Sequence, residues 1–95
     1  MEELIKDIKS VCLDYMSIVI SDEQAVNILE NNPSILEYGA YDTEERSNIL
    51  DFVCLDICNM RVPMYKDTDE YCELFNKSLV ANATLKGYVL TDYWN

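Results

Sequence analysis

Histidine is absent from this 95-residue chain, and lysine and arginine number only 7 against 18 aspartates and glutamates, a formal net charge of −11 at pH 7. The shortage of cations argues against DNA, RNA and anionic membranes as charge-driven partners, because each would be repelled. A partner drawn by charge must be basic, as proteins that handle nucleic acid are. Two glycines and two prolines leave little material for hairpin turns, which argues against a sandwich or barrel of many short strands. No apolar run approaches the roughly 20 residues that span a bilayer; the longest candidate is Met16 to Ile20. The opening Met1-Glu2-Glu3-Leu4-Ile5-Lys6-Asp7 is acidic and amphipathic, unlike a secretory signal with its basic start and uninterrupted apolar stretch. The expectation is a soluble, intracellular chain.

What is present is enough for a core. Hydrophobic residues make up 49% of the chain, so despite its charge it falls outside the disordered class, which combines low hydrophobicity with high charge. Residues 1–95 are expected to form one acidic helical domain. In a reducing compartment Cys12, Cys54, Cys58 and Cys72 read as free thiols that behave as small apolar residues. A zinc site is the sharper alternative, but no repeated knuckle spacing joins these cysteines and there is no histidine. No metal or cofactor is expected.

The periodicity predicts a mainly α fold, a compact small bundle of about five helical pieces with an extended C-terminal tail. Leu4, Ile8, Val11 and Tyr15, widened by Ile5 and Cys12, mark the inner face of a helix near residues 2 to 16. Ile18-Val19-Ile20 is β-branched and suits either more helix or a short extended link. Ser21 with Gln24 fits a capping box that opens a short helix with Ala25, Val26, Ile28 and Leu29 inward, stopped at Asn31-Asn32-Pro33. Asn32 as a cap then begins a single-turn piece through Ile35 and Leu36, closed by Gly39. Asp42 and Glu45 are spaced as cap and partner for the helix near 43 to 60, whose many apolar residues, among them Leu50, Phe52, Val53, Cys54, Leu55, Ile57 and Cys58, predict the central, most buried element. Asp67-Thr68-Asp69-Glu70 repeats the acidic start for a last long helix near 68 to 86. That helix carries Tyr71, Phe75 and Leu79 inward and ends at Lys86-Gly87. The tail from Tyr88 to Asn95 is too apolar to hang free and is expected to pack back as an extended segment.

One run of residues points further: Asn32-Pro33-Ser34-Ile35, then Glu37-Tyr38-Gly39, then Asp42-Thr43 with Arg46, and Pro63 followed by Tyr65. Over roughly residues 20 to 70 this pattern resembles small acidic proteins of bacteriophages and mobile elements, a group with no established activity. The chain departs from the pattern in carrying Val62 where an aromatic residue is expected before the proline, and no functional residue is carried over. The resemblance implies a context. Such proteins are similar in size and charge to inhibitors of bacterial defence, including anti-CRISPR proteins, and the implied location is the cytoplasm of a bacterial host.

Ten of the acidic residues, Glu2, Glu3, Asp22, Glu23, Asp42, Glu44, Glu45, Asp67, Asp69 and Glu70, fall at expected helix starts, where each interacts favourably with the helix dipole by about 0.3–1 kcal/mol. Capping therefore explains their positions, but not the lack of balancing cations at the helix ends, where only Lys86 and Arg61 serve. If Asp42, Glu44 and Glu45 share a surface with Asp67, Asp69, Glu70 and Glu73, their carboxylates imitate a row of phosphates, as in a DNA mimic that occupies a basic nucleic-acid-binding protein or nuclease complex. Asp42 with Glu45, or Asp67 with Glu70, could also be drawn as a catalytic or Mg²⁺-binding pair, but exposed helix starts lack the cleft such a pair needs. The cysteines have no neighbouring cation or base to activate them, so the chain is not expected to be an enzyme. Tyr15, Tyr71 and Phe75 are expected in the core, and Tyr38, Tyr41, Tyr65, Tyr88, Tyr93 and Trp94 at corners or in the tail, where contact roles are open to them. The alternative function is a structural or adaptor protein, a homodimer joined through the apolar tail, in which charge serves solubility.

Overall fold

A computed structural model of the chain describes residues 2–38, 45–63 and 68–94, with only the backbone of residues 38 and 45–47. Its elements are α1 (Glu2–Met16), β1 (Ile18–Val19), α2 (Asp22–Asn31), α3 (Ile35–Tyr38), α4 (Glu45–Cys58), α5 (Asp69–Leu85) and β2 (Val89–Leu90), followed by a 3₁₀ turn at Asp92–Trp94. The molecule is the mainly helical bundle that the periodicity predicts. No described helix is long and apolar enough to cross a membrane.

Each helix boundary has a local cause. Ser21 opens α2 with both bonds of a capping box: its hydroxyl accepts from the Gln24 amide (3.1 Å) and the Gln24 side chain accepts from the Ser21 amide (2.8 Å). Thr68, not Asp67, caps α5, accepting from the Tyr71 amide at 3.2 Å; the shift of one residue puts Asp69 and Glu70 in the first helical turn. The start expected at Asp42 lies outside the described residues. Asn32 does not spend its side chain on capping the next turn. Its amide donates backwards to the Ile28 carbonyl (2.9 Å) and across to Asp56 (3.0 Å), closing α2 and tying it to α4. At the C-termini, α1 and α4 end on Ser17 (φ 53) and Asn59 (φ 55), whose amides reach the Leu13 and Leu55 carbonyls. α5 ends in a Schellman motif: Tyr88 donates to Ala83, Gly87 donates to Thr84, and Gly87 sits at φ +77.

The run Ile18-Val19-Ile20 is extended, not helical. Its period of two decides the matter, since Ile18 and Ile20 are buried while Val19 faces out. β1 pairs antiparallel with β2 in the register Ile18 to Leu90 and Val19 to Val89. The tail then clasps the end of α1: the Thr91 amide donates to the Ser17 carbonyl (3.1 Å), and the Trp94 indole donates to the Met16 (2.9 Å) and Ser17 (3.1 Å) carbonyls. These carbonyls belong to a helix end with no intrahelical donors, which is why the clasp forms there.

The core joins Ile8, Val11, Cys12 and Met16 of α1 with Ala25, Ile28 and Leu29 of α2, Ile35 of α3, and Phe75, Leu79 and Ala83 of α5 around α4. α4 contributes Ile49, Leu50, Val53, Cys54, Ile57 and Cys58, two adjacent rows that let it touch α1, α2, α3 and α5. Burial of each large side chain contributes about 1.5–3 kcal/mol. Three expectations fail at the margin of this core. Leu55 is 39% exposed and Tyr71 is only half-buried, while Tyr15 is 55% exposed because Met16, one position on, takes the inward place at the end of α1. No polar or charged side chain is buried among the described residues.

Candidate protein-binding surface

The direction of α5 relative to α4 decides which helix starts share an end of the molecule. After α4 the chain doubles back, so that Asp51 accepts from the Arg61 guanidinium (3.3 Å) and the Val62 amide (3.5 Å). The Tyr71 hydroxyl in the first turn of α5 donates to the Arg61 carbonyl, and Ser78, two turns on, donates to the Cys58 carbonyl at 3.3 Å. α5 therefore begins beside the first half of α4 and runs the same way, bringing the two N-terminal ends toward one end of the molecule.

At that end Asp69, Glu70 and Glu73 are exposed on the first turns of α5. Glu70 and Glu73 line a shallow hollow of about 330 Å³ with Leu74 and Lys77, and Lys77 pairs with Glu73 at 3.3 Å. Glu45 opens α4 by its backbone. Its side chain, and Asp42, Glu44 and Asp67 altogether, lie outside the described residues. The acidic starts of α1 and α2 are elsewhere. Gln24 donates to the Gly87 carbonyl (3.3 Å), which fixes the start of α2 at the far end of α5, about 25 Å along its axis from Asp69. There Glu2 and Asp22 share a hollow with Lys6 and Lys9, and Lys9 bonds Asp22 at 2.8 Å. The helix-start carboxylates thus divide between two ends, one of them interleaved with lysines.

The four thiols are free, and three of them are buried. Burial pushes Cys12 up to about 12, with the Asp56 charge adding to it, and pushes Cys58 up to about 11 against a hydrogen bond from Ser78. Burial also raises Cys54, reinforced by Cys58, Asp51 and Cys12. Cys72 is half-buried and lines an apolar hollow of about 280 Å³ with Tyr15, Leu50, Val62 and Phe75. No group of three His, Cys, Asp or Glu side chains among the described residues could hold a metal ion. Of the aromatic residues, Phe75 is buried, Tyr71 and Tyr88 are half-buried, Tyr93 is 75% exposed, and Trp94 is half-buried by its clasp. Asp51 and Asp56, half-buried on α4, escaped the sequence reading. The available signal was two carboxylates inside an otherwise apolar helix.

No family model, no curated protein and no solved structure matches this chain.

Proposed function

We propose that this chain is an acidic binding protein of a phage or mobile element that occupies a basic protein surface and so inhibits a nucleic-acid-targeting defence system of the bacterial host, in the manner of an anti-CRISPR protein or DNA mimic. The observation that carries the reading is the cluster Asp69, Glu70 and Glu73, exposed on α5 at the end where α4 also begins, on a chain of net charge −11. Lys77 pairs with one of the three, Glu73. Asp42, Glu44, Glu45 and Asp67 are the residues proposed to extend that surface from the adjoining helix start. Carboxylates presented together attract the Arg and Lys side chains that otherwise meet phosphates.

The test is a pull-down from bacterial lysate with the chain as bait at two ionic strengths. A nuclease or DNA-binding complex retained at low salt and released at moderate salt is the expected outcome, because exposed charge pairs are screened over about 10 Å at 0.1 M. Retention unchanged by salt, or of no basic protein, contradicts it.

The alternative, a structural or adaptor homodimer, draws on the outward pair Val19 (46% exposed) and Val89 (61% exposed) of the two-stranded sheet. Truncating the tail is a poor test of it, since the tail supplies half of the sheet. Val89→Lys leaves the pairing backbone intact, and loss of a sedimenting dimer in that variant would favour this alternative.

A further inference from the structure

The polar hollow between α2, α4 and the turn that follows α5 holds a half-buried carboxylate that no cation pairs with among the described residues. Its volume is about 290 Å³, room for roughly ten waters, and it is lined by Gln24, Asn27, Asn31, Asp56, Lys86 and Tyr88 with Ile28. Asp56 accepts from the Asn32 amide at 3.0 Å and has no other partner among the described residues. Asp51, the other half-buried carboxylate of α4, is matched by Arg61. The contrast matters because a partly desolvated charge is stabilised by a counter-charge that water supplies only poorly. Lys86 lines the same hollow but forms no ion pair with Asp56. Burial raises both Cys12 and Tyr88, and the Asp56 charge adds to each.

We propose that this hollow binds a guanidinium group, the arginine side chain of a partner, with the Asp56 carboxylate as its counter-charge. Asn27 and Asn31 stand one helical turn apart on α2, and no bond within the described residues uses their side chains; their carbonyl oxygens and the Tyr88 hydroxyl add acceptors beside the carboxylate. Several acceptors around one carboxylate match a planar cation with five donors better than an ammonium, which is a compact point charge. The inference rests on this hollow alone and holds whether or not the acidic end of α5 binds a nucleic-acid-handling protein.

The experiment is an NMR titration of the ¹⁵N-labelled full chain, at constant ionic strength, with the acetylated amides of arginine, lysine and glutamate as probes. The arginine compound is expected to shift the Gly87 and Tyr88 amides and the Asn27 and Asn31 side-chain amides saturably, the lysine compound more weakly, and the glutamate compound not at all. Asp56→Asn should weaken the arginine probe by about tenfold or more. Lys86→Met, an exposed change that leaves the fold intact, should strengthen it by about twofold or more by removing a like charge. Non-saturating shifts spread over Asp69, Glu70 and Glu73, or an unchanged affinity in Lys86→Met, would overturn the proposal. Saturable binding of the glutamate probe would assign the hollow to Lys86 and overturn it equally.

Discussion

Two residues with left-handed backbones make opposite predictions. Gly87 ends α5 at φ +77, and a methyl group built there meets nothing within 4 Å, so the need for glycine is conformational and not steric. Gly87→Ala should destabilise by about 1–2 kcal/mol, read as a lower urea midpoint at constant slope. Ser17 holds φ 53 with a side chain that does not favour it. Ser17→Gly relieves that strain and loses some of the gain to the freer unfolded chain, a net stabilisation of up to about 1 kcal/mol. The buried thiols predict an alkaline limit. Below pH 9 the thiol is protonated in both states; above it the unfolded chain ionises first, while Cys12 and Cys58 stay protonated in the fold up to about 12 and 11. Stability should therefore fall as pH rises from 9 toward 12, by up to about 1.4 kcal/mol per unit for each buried thiol. Urea melts at pH 8, 9.5 and 10.5 check it, and a flat profile would contradict the burial of these groups.

Among the elements, the tail is the one whose removal has the widest effect. β2 and the 3₁₀ turn reach back across more than 70 residues of sequence to close the end of α1, with Trp94 donating to two carbonyls there. Trp94→Phe keeps an aromatic ring, smaller than the indole, and removes the donor, and should cost about 1–2 kcal/mol or more. Hydrogen exchange should show the Thr91 amide losing protection first, since its bond to Ser17 is the backbone contact next to the clasp that Trp94 closes. Periodicity and caps made the helices legible: α1, the capping box of α2 and the Lys86-Gly87 stop stand where Ser21, Gln24 and Gly87 point. The elements that sequence left open depend on contacts far along the chain. Ile18-Val19-Ile20 becomes a strand because Leu90 and Val89 lie opposite it, and Tyr15 turns outward because Met16 packs against Cys54 at 3.9 Å. The shift of the α5 cap from Asp67 to Thr68 is the kind of one-residue choice that two adjacent capping residue types leave undetermined.

At the scale of the molecule, charge bears on stability and, in the proposed function, on partner choice. A net charge of −11 on so small a domain repels itself, so added monovalent salt should raise the melting temperature before any partner is present. The sequence made the sign of the chain's own charge legible and left the geometry open, because whether two helix starts share a surface depends on the reversal after α4. The ion pair of Asp51 with Arg61 lies across that reversal. The reversal turns α5 parallel to α4, whereas a direct connection would have sent the two acidic starts to opposite ends.

The proposed role depends on the carboxylates of α5 acting together on a basic partner. The direct measurement is the affinity of the captured partner for the chain and for Asp69→Asn/Glu70→Gln/Glu73→Gln, each titrated at several salt concentrations, with circular dichroism confirming that the variant is folded. The expected result is binding weaker by about tenfold or more and a shallower dependence on salt. Equal affinity and equal salt dependence in a folded variant would contradict it.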